Sequence, residues 1–382
     1  MVVKNYRWDG DAWRVYKWIN GKIHYFGRYN NEAQAIEKVD HLRKNNWDGL
    51  IPSKKRKVTF PFEEDEKLID KIAIERNIQA KTKATYCQSV IHYTEYLKQS
   101  FTSLIEVYYA EEETTPWKKR TLKKHLIGYR NHLYNTYLRG TAKNYFSRLL
   151  TVFRHLEIEL NYLPMLNTKN IKEAQPITHS DLLTKAELEK CYSVASPLMK
   201  AIILFQTSTG CARRETLNLT VKDYLLANEV TIIDKPVKSL LLQVNQDNIP
   251  CFKLKRQKTN KYYFTYCTPQ ANISILEYLI NREDLTLDSP VFDMNLYYWN
   301  NEYSNINDIL NLGTAGNYNR FRSHMLRKYH ASTLYNNGMS IDDIDSLQGR
   351  SKDSTHQSYF MEDPLLLKKK YVEHMDCLLL EV

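Results

Sequence analysis

Along the first fifty residues, hydrophobic and polar positions come in short strand-like runs rather than at helical spacing. The stretch "WRVYKWINGKIHYFGRY", residues 13–29, holds two such runs around Asn20-Gly21. Asn-Gly tolerates the positive φ angles of a two-residue hairpin turn, so a hairpin is predicted there. Upstream, "VVKNYRW" supplies a candidate third strand. The period then changes: "NNEAQAIEKVDHLRKN" puts Ala33, Ile36, Val39 and Leu42 on one face of a predicted helix. Trp13, Val15 and Phe26 are the expected core of this module, with the helix lying on the sheet.

From residue 62 to 165 the period is helical. Tyr86, Val90, Tyr93 and Leu97 share one face, as do Tyr145, Leu149, Phe153 and Leu156, with basic residues on the other faces. "PSKKRKVTFP", residues 52–61, reads as a basic, proline-bounded linker. It is either a solvated tether or an arm for a phosphate backbone. A second linker runs into a helix whose start is marked by Thr184 and Glu187, the spacing of a capping box. Beyond it lie helical segments with strand-like runs between them, "EVTIID" and "CFKLKRQKTNKYYFTYC". The expected fold class is therefore multidomain α+β. It comprises a small three-stranded sheet plus helix (1–52), a helical domain (62–168) and a mixed, mainly α domain with a small β-sheet (180–382).

Charge sharpens this division. The chain carries a net +10, and residues 1–57 hold 13 Lys and Arg against 6 Asp and Glu, so most of the excess lies in the first module. Such a surface suits a polyanion. Many of the 28 tyrosines sit beside Lys or Arg, which suits phosphate contact and base stacking but equally suits amphipathic packing. Cys87, Cys191, Cys211, Cys251, Cys267 and Cys377 form no CxxC pair and no zinc spacing. Reduced, mostly buried thiols in a cytoplasmic protein are expected, with no metal. No apolar run approaches the ~20 residues of a membrane span, and no signal-peptide core opens the chain.

The candidate chemistry lies in two stretches. In "FRSHMLRKYHASTLYNNGMSIDDIDSLQGRSKDSTHQSYF", residues 321–360, His324 and Arg327 are three apart and share a helix face. Gly338 is placed to end that helix. A second helix ends at Gly349, followed by Arg350 and, nine residues later, Tyr359. This arrangement resembles the catalytic domain of the tyrosine recombinases, the lambda-integrase family, whose second motif runs His-x-x-Arg, Gly-His, then Tyr. The family's first motif, Thr-Gly-x-Arg-x-x-Glu, is matched by Thr209-Gly210-Cys211-Ala212-Arg213-Arg214-Glu215, followed by Leu217, Leu219 and Lys222-Asp223.

Two departures stand out. Ala212 occupies the expected arginine position, and Arg350 stands where the family has His or Trp. Either Ala212 replaces an arginine and disables the catalyst, or Arg213 or Arg214 reaches the phosphate in a shifted register. A one-residue shift turns a helical side chain by about 100°, which favours the first reading.

The resemblance implies an enzyme that cuts and rejoins DNA through a covalent 3′-phosphotyrosine link at Tyr359. Arg327 would stabilise the phosphate, and His324 would assist proton removal or hold the phosphate. Lys258, or less expectedly Lys261, would protonate the leaving 5′-oxygen, with Arg350 donating a hydrogen bond and Glu215 in support. No cofactor is required. It further implies a helical core-binding domain at 62–168 and a catalytic domain at 180–382. Residues 1–52 resemble the APETALA-like arm-binding domain of some integrases, with Arg7, Arg14, Lys17, Lys22 and Arg28 meeting DNA. The implied partners are double-stranded DNA, at core and arm sites, and a homotetramer assembled on it. The tail "LLLKKKYVEHMDCLLLEV" would reach a neighbouring protomer or fold back on its own domain. Two alternatives stay open: a DNA-binding regulator that has lost catalysis, and a type IB topoisomerase-like enzyme.

Overall fold

The computed structural model describes residues 5–10, 12–19, 22–44, 60–167, 169, 171–258, 260–283, 285–350 and 363–382, with the backbone alone described at 18, 19, 22–24, 41, 43 and 44. The expected turn at Asn20-Gly21 and the basic linker through residue 59 lie outside the described residues. By its contacts the chain divides into two compact units, residues 48–176 and residues 1–47 with 177–382.

In the second of these, β1 (Tyr6–Trp8), β2 (Trp13–Ile19) and β3 (Lys22–Tyr29) form an antiparallel sheet in that order, covered by α1 (Glu32–Lys44). Val15 and Phe26 are buried. Trp13 is half-buried at the sheet's edge, where it meets Trp8 edge-on at 5.6 Å. The buried stripe of α1 is Ala35, Val39 and Leu42; Ala33 and Ile36 are exposed. At about 100° per residue Ala33 lies half a turn round the helix from Leu42, so a strict three-residue spacing drifts off the buried face.

Residues 60–167 hold five helices: α2 (Glu63–Glu75), α3 (Ala80–Leu97), α4 (Phe101–Thr114), α5 (Thr121–Thr136) and α6 (Arg139–His155). The expected faces are the buried ones: Tyr86, Val90 and Tyr93 on α3, Leu149 and Phe153 on α6. Asp65, fully buried on α2, accepts from the backbone N–H groups of Phe101 (2.9 Å) and Thr102 (2.8 Å). A carboxylate thereby satisfies the free amides that open α4.

The C-terminal body is built around α8 (Pro197–Thr209), whose residues from Ala201 to Thr209 are all buried. A helix that is apolar on nearly every side belongs at the centre of a core. α7 (Lys185–Ser193) precedes it, opened by the Thr184–Glu187 capping box. α9 (Arg213–Leu217), α10 (Val221–Ala227) and α11 (Val237–Leu241) follow. Next come the hairpin β4 (Cys251–Arg256) and β5 (Lys261–Tyr266), then α12 (Pro269–Ile280) and α13 (Leu296–Ile309). The short ladder β6 (Thr314–Ala315) and β7 (Tyr318–Asn319) leads to α14 (Ser323–Asn336) and α15 (Ile341–Leu347).

"EVTIID" is not a strand. Val230 closes α10 by donating to Leu225 O, Ile233 is 44 % exposed, and among the described residues no strand pairs with it. The final helix, Pro364–His374, and the turn after it fold back on this body. Tyr371 is buried and donates to Ser208 O at 2.9 Å, and Leu378 and Leu380 are buried.

Candidate active site

The site begins where α8 must stop. Gly210 caps it at φ +62°, in the left-handed region, with its N–H on Gln206 O. A Cβ there would lie 2.6 Å from His330 Nδ1 and 2.7 Å from Gln348 Nε2, so the close approach as well as the φ requires glycine. Ala212 then opens α9 as its N-cap. Gln206, wholly buried, fixes the turn from below. Its Nε2 lies 3.2 Å from Cys211 O, 3.2 Å from Thr216 Oγ1 and 2.9 Å from Ser323 Oγ, while its Oε1 accepts from the Tyr303 hydroxyl at 2.6 Å.

Arg327, from the first turns of α14, is held against this turn. Its Nη1 donates to Gly210 O and its Nη2 to Gln348 O, both at 2.6 Å. It is 6 % exposed. Burial first, then the Arg256 guanidinium, pushes its pKa down to about 10, so it remains a cation. A guanidinium has five N–H donors; two are taken here, which leaves three for an anion.

One turn earlier, His324 is exposed. Partial desolvation lowers its pKa, and so do the charges of Lys328, Arg322, Arg327 and Arg350. Burial and these cations both favour the uncharged ring. Arg350 follows Gly349 and pairs with Asp345 Oδ1 at 3.1 Å. Both arginines of the His-x-x-Arg and Gly-Arg segments therefore act on the same imidazole.

Lys258 is exposed in the turn between β4 and β5. Glu215, on α9 and 6 % exposed, anchors that turn. Its Oε1 accepts from the backbone N–H of Gln257 at 3.2 Å and lies 3.8 Å from Arg256 Nη1. Glu215 thus joins the first motif to the lysine hairpin. Glu215→Ala leaves a buried amide and a guanidinium without this partner. A loss of about 2 kcal/mol is expected, read as a lower urea midpoint at constant slope.

Arg213 turns away from this cluster to Asn300 Oδ1 on α13, at 3.2 Å, and Arg214 is exposed. Tyr359 lies outside the described residues.

In the N-terminal sheet, Arg7 pairs with Arg14, and Arg14 with Arg28, directly across the strands, so the three form one row. Arg7 is exposed and donates to Tyr25 Oη at 3.2 Å. Arg14 is ion-paired to Asp9. Arg28 acts on the half-buried Glu302 of α13, whose pKa desolvation raises to about 7. Tyr25 N–H donates to Tyr298 Oη at 3.2 Å. Part of the basic row therefore faces α13. Lys17 lies on β2, half-buried, and Lys22 opens β3, where the backbone alone is described.

The motif spacing does not single out Gln206, Arg256, His330 or Gln348. Gln348 Nε2 donates to Arg327 O at 3.0 Å and to His330 Nδ1 at 2.9 Å, so it positions both. Arg256 did carry a signal: with Phe252 and Leu254 it shares the inward phase of β4. Among the described residues no cluster of His, Cys, Asp and Glu is arranged to hold a metal, and no helix is long and apolar enough to cross a membrane.

No curated protein matches the sequence. Among solved structures, the Tn1549 transposon integrase in complex with a circular intermediate DNA matches at 15 % identity and TM-score 0.51, over 81 % of this chain and 98 % of that one. A lambda integrase tetramer bound to a Holliday junction matches at 14 % and 0.47, over 94 % and 98 %. The XerH site-specific recombinase bound to difH substrate, a pre-cleavage complex, matches at 16 % and 0.47, over 89 % and 88 %. At 15 % identity the transposon integrase match speaks to the fold alone. The segment from residue 181 to 364 contains the Gly210–Glu215 turn, the Lys258 hairpin, His324, Arg327, Arg350 and Tyr359. Over residues 181–364 this chain is similar to the phage integrase family.

Proposed function

We propose that this chain is a site-specific DNA recombinase of the integrase type, with Tyr359 as its nucleophile. The observation that carries the reading is Arg327, held by Gly210 O and Gln348 O at the turn that opens α9, with His324 one turn earlier on α14 and its pKa lowered by burial and by Lys328, Arg322, Arg327 and Arg350. A phosphodiester resists attack because its oxygens are negative and its alkoxide leaves poorly. Guanidinium groups offset the charge that builds on the non-bridging oxygens.

The Tyr359 oxygen forms a bond to phosphorus as the bond to the 5′-oxygen breaks. His324 takes the phenol proton, and Lys258 gives one to the 5′-oxygen. The 3′-phosphotyrosine link keeps the energy of the cut bond. A 5′-hydroxyl from a second strand then reverses the step, and no ATP is consumed.

On this reading residues 62–382 engage core sites and residues 1–52 engage arm sites, with Arg7 exposed where Arg14, Lys17 and Arg28 are half-buried. A homotetramer assembles on the paired sites. Ala212 supports a second reading, a DNA-binding regulator without cleavage, because α9 offers no guanidinium at that position.

The test is a nicked duplex carrying sequence selected by the chain from random DNA. An SDS-stable protein–DNA adduct whose phosphotyrosine maps to Tyr359 is expected. Specific binding without any adduct favours the regulator.

A further inference from the structure

Ala212 stands where an arginine is expected, and the fold brings Arg256 against Glu215 of the short helix that Ala212 caps. Arg256 ends β4 in phase with the buried Phe252 and Leu254, so its side chain points inward; it is 17 % exposed. Its Nη1 lies 3.8 Å from Glu215 Oε1, three residues along α9 from Ala212. That Nη1 is buried and, among the described residues, makes no hydrogen bond.

On the other side of the same turn, Arg327 Nη1 is tied to Gly210 O, two residues before Ala212. The segment from Gly210 to Glu215 is therefore flanked by two arginines from different elements, β4 and α14. The Arg256 charge is the foremost charged influence depressing the Arg327 pKa. Two like charges in a poorly hydrated setting repel, and Glu215 can neutralise only one of them. Such a pair is relieved by an anion between the two forks.

We propose that Arg256 supplies the second guanidinium of the phosphate clamp, acting from the β-hairpin in place of the side chain that position 212 lacks. The ligand is the scissile phosphodiester, gripped by Arg327 from one side and Arg256 from the other. Lys258 is two residues beyond Arg256 in the same hairpin, so clamp and proton donor arrive together. The inference rests on the recombinase reading for its substrate, while the anion site itself stands on the arginine geometry.

The experiment uses the full chain, Arg256→Lys, Ala212→Arg and the double variant. Lysine keeps a charge beside Glu215, so the fold persists, but it loses the planar fork that a phosphate needs. Two readouts run in parallel. One is the rate of SDS-stable adduct formation on the selected nicked duplex. The other is affinity for inorganic phosphate, from thermal shift without DNA.

Arg256→Lys is expected to slow adduct formation ~100-fold, the loss typical of one preorganised donor, and to weaken phosphate binding about tenfold, the loss of one charge-assisted contact. Ala212→Arg alone changes the adduct rate little, because its place is filled; added to Arg256→Lys, it restores both readouts. The proposal is overturned if Arg256→Lys leaves both readouts at wild-type values. Adducts that form at an unchanged rate, with phosphate affinity also unchanged, sink the clamp and leave the recombinase standing. Arg256-dependent phosphate binding without adducts in any variant keeps the anion site and removes the recombinase.

Discussion

Arg327→Ala is expected to lower adduct formation on the selected nicked duplex by about 10³-fold or more, at the upper end of what one preorganised donor to developing charge contributes. The guanidinium also has a structural task, and the two losses separate experimentally. Its Nη groups bond two backbone carbonyls, Gly210 O and Gln348 O, at 2.6 Å each, in a part of the core where Gln348 is fully buried. Truncation leaves both acceptors without a donor, a cost of about 1–3 kcal/mol each, so the unfolding midpoint in urea falls as well.

Arg327→Lys distinguishes the roles. An ammonium keeps the charge and satisfies one carbonyl, so most of the stability returns. It cannot span both carbonyls and still present a fork to the phosphate. Cleavage should remain ~100-fold down while the midpoint recovers. Recovery of cleavage in parallel with stability would show that Arg327 serves the fold and not the phosphate.

The contrast between Arg327 and Arg256 shows how far the sequence could be read. Arg327 was legible because helical spacing is local: His324 and Arg327 share a face of α14 whatever surrounds them. Thr184, Gly210, Gly338 and Gly349 were legible for the same reason, since caps and left-handed turns depend on a few neighbouring residues. Arg256 needed more. The phase of β4 says it points inward, but only the packing of the hairpin on α9 says that inward means toward Glu215.

"EVTIID" failed for a related reason. Its β-branched residues suit a strand, yet a strand needs a partner, and the short hairpin β4–β5 pairs only with itself among the described residues. The α1 face was misplaced at its start because a strict three-residue spacing drifts round a helix of about 3.6 residues per turn, while the buried Ala35, Val39 and Leu42 follow steps of four and three. His330 escaped notice because it looks like one more polar residue on α14. Its place against Gly210 and Gln348 depends on three separate segments meeting.

That same His330 predicts a steep loss of stability in acid. The ring is fully buried, and its Nδ1 accepts from Gln348 Nε2 at 2.9 Å, which requires the neutral form. Burial, then the charges of Arg327 and Arg350, pushes its pKa down to about 3 from an ordinary 6.5. A group whose folded pKa is depressed contributes its full stability above the unfolded value and loses it as pH falls toward the folded value. The window is therefore pH 6.5 down to 3, and the loss reaches roughly 3 kcal/mol by pH 4.

His330→Asn keeps an acceptor for Gln348 but cannot be protonated in this range. It should be less stable than the parent chain at pH 7, through lost packing, and show a flatter decline between pH 6.5 and 4 when urea midpoints are compared. Parallel curves for the two chains would mean that other buried groups govern acid unfolding. A flatter curve for the variant would locate the acid sensitivity in the His330–Gln348 contact, the same contact that steadies Arg327. Lowering the pH would then loosen Arg327 before it unfolds the rest of the body.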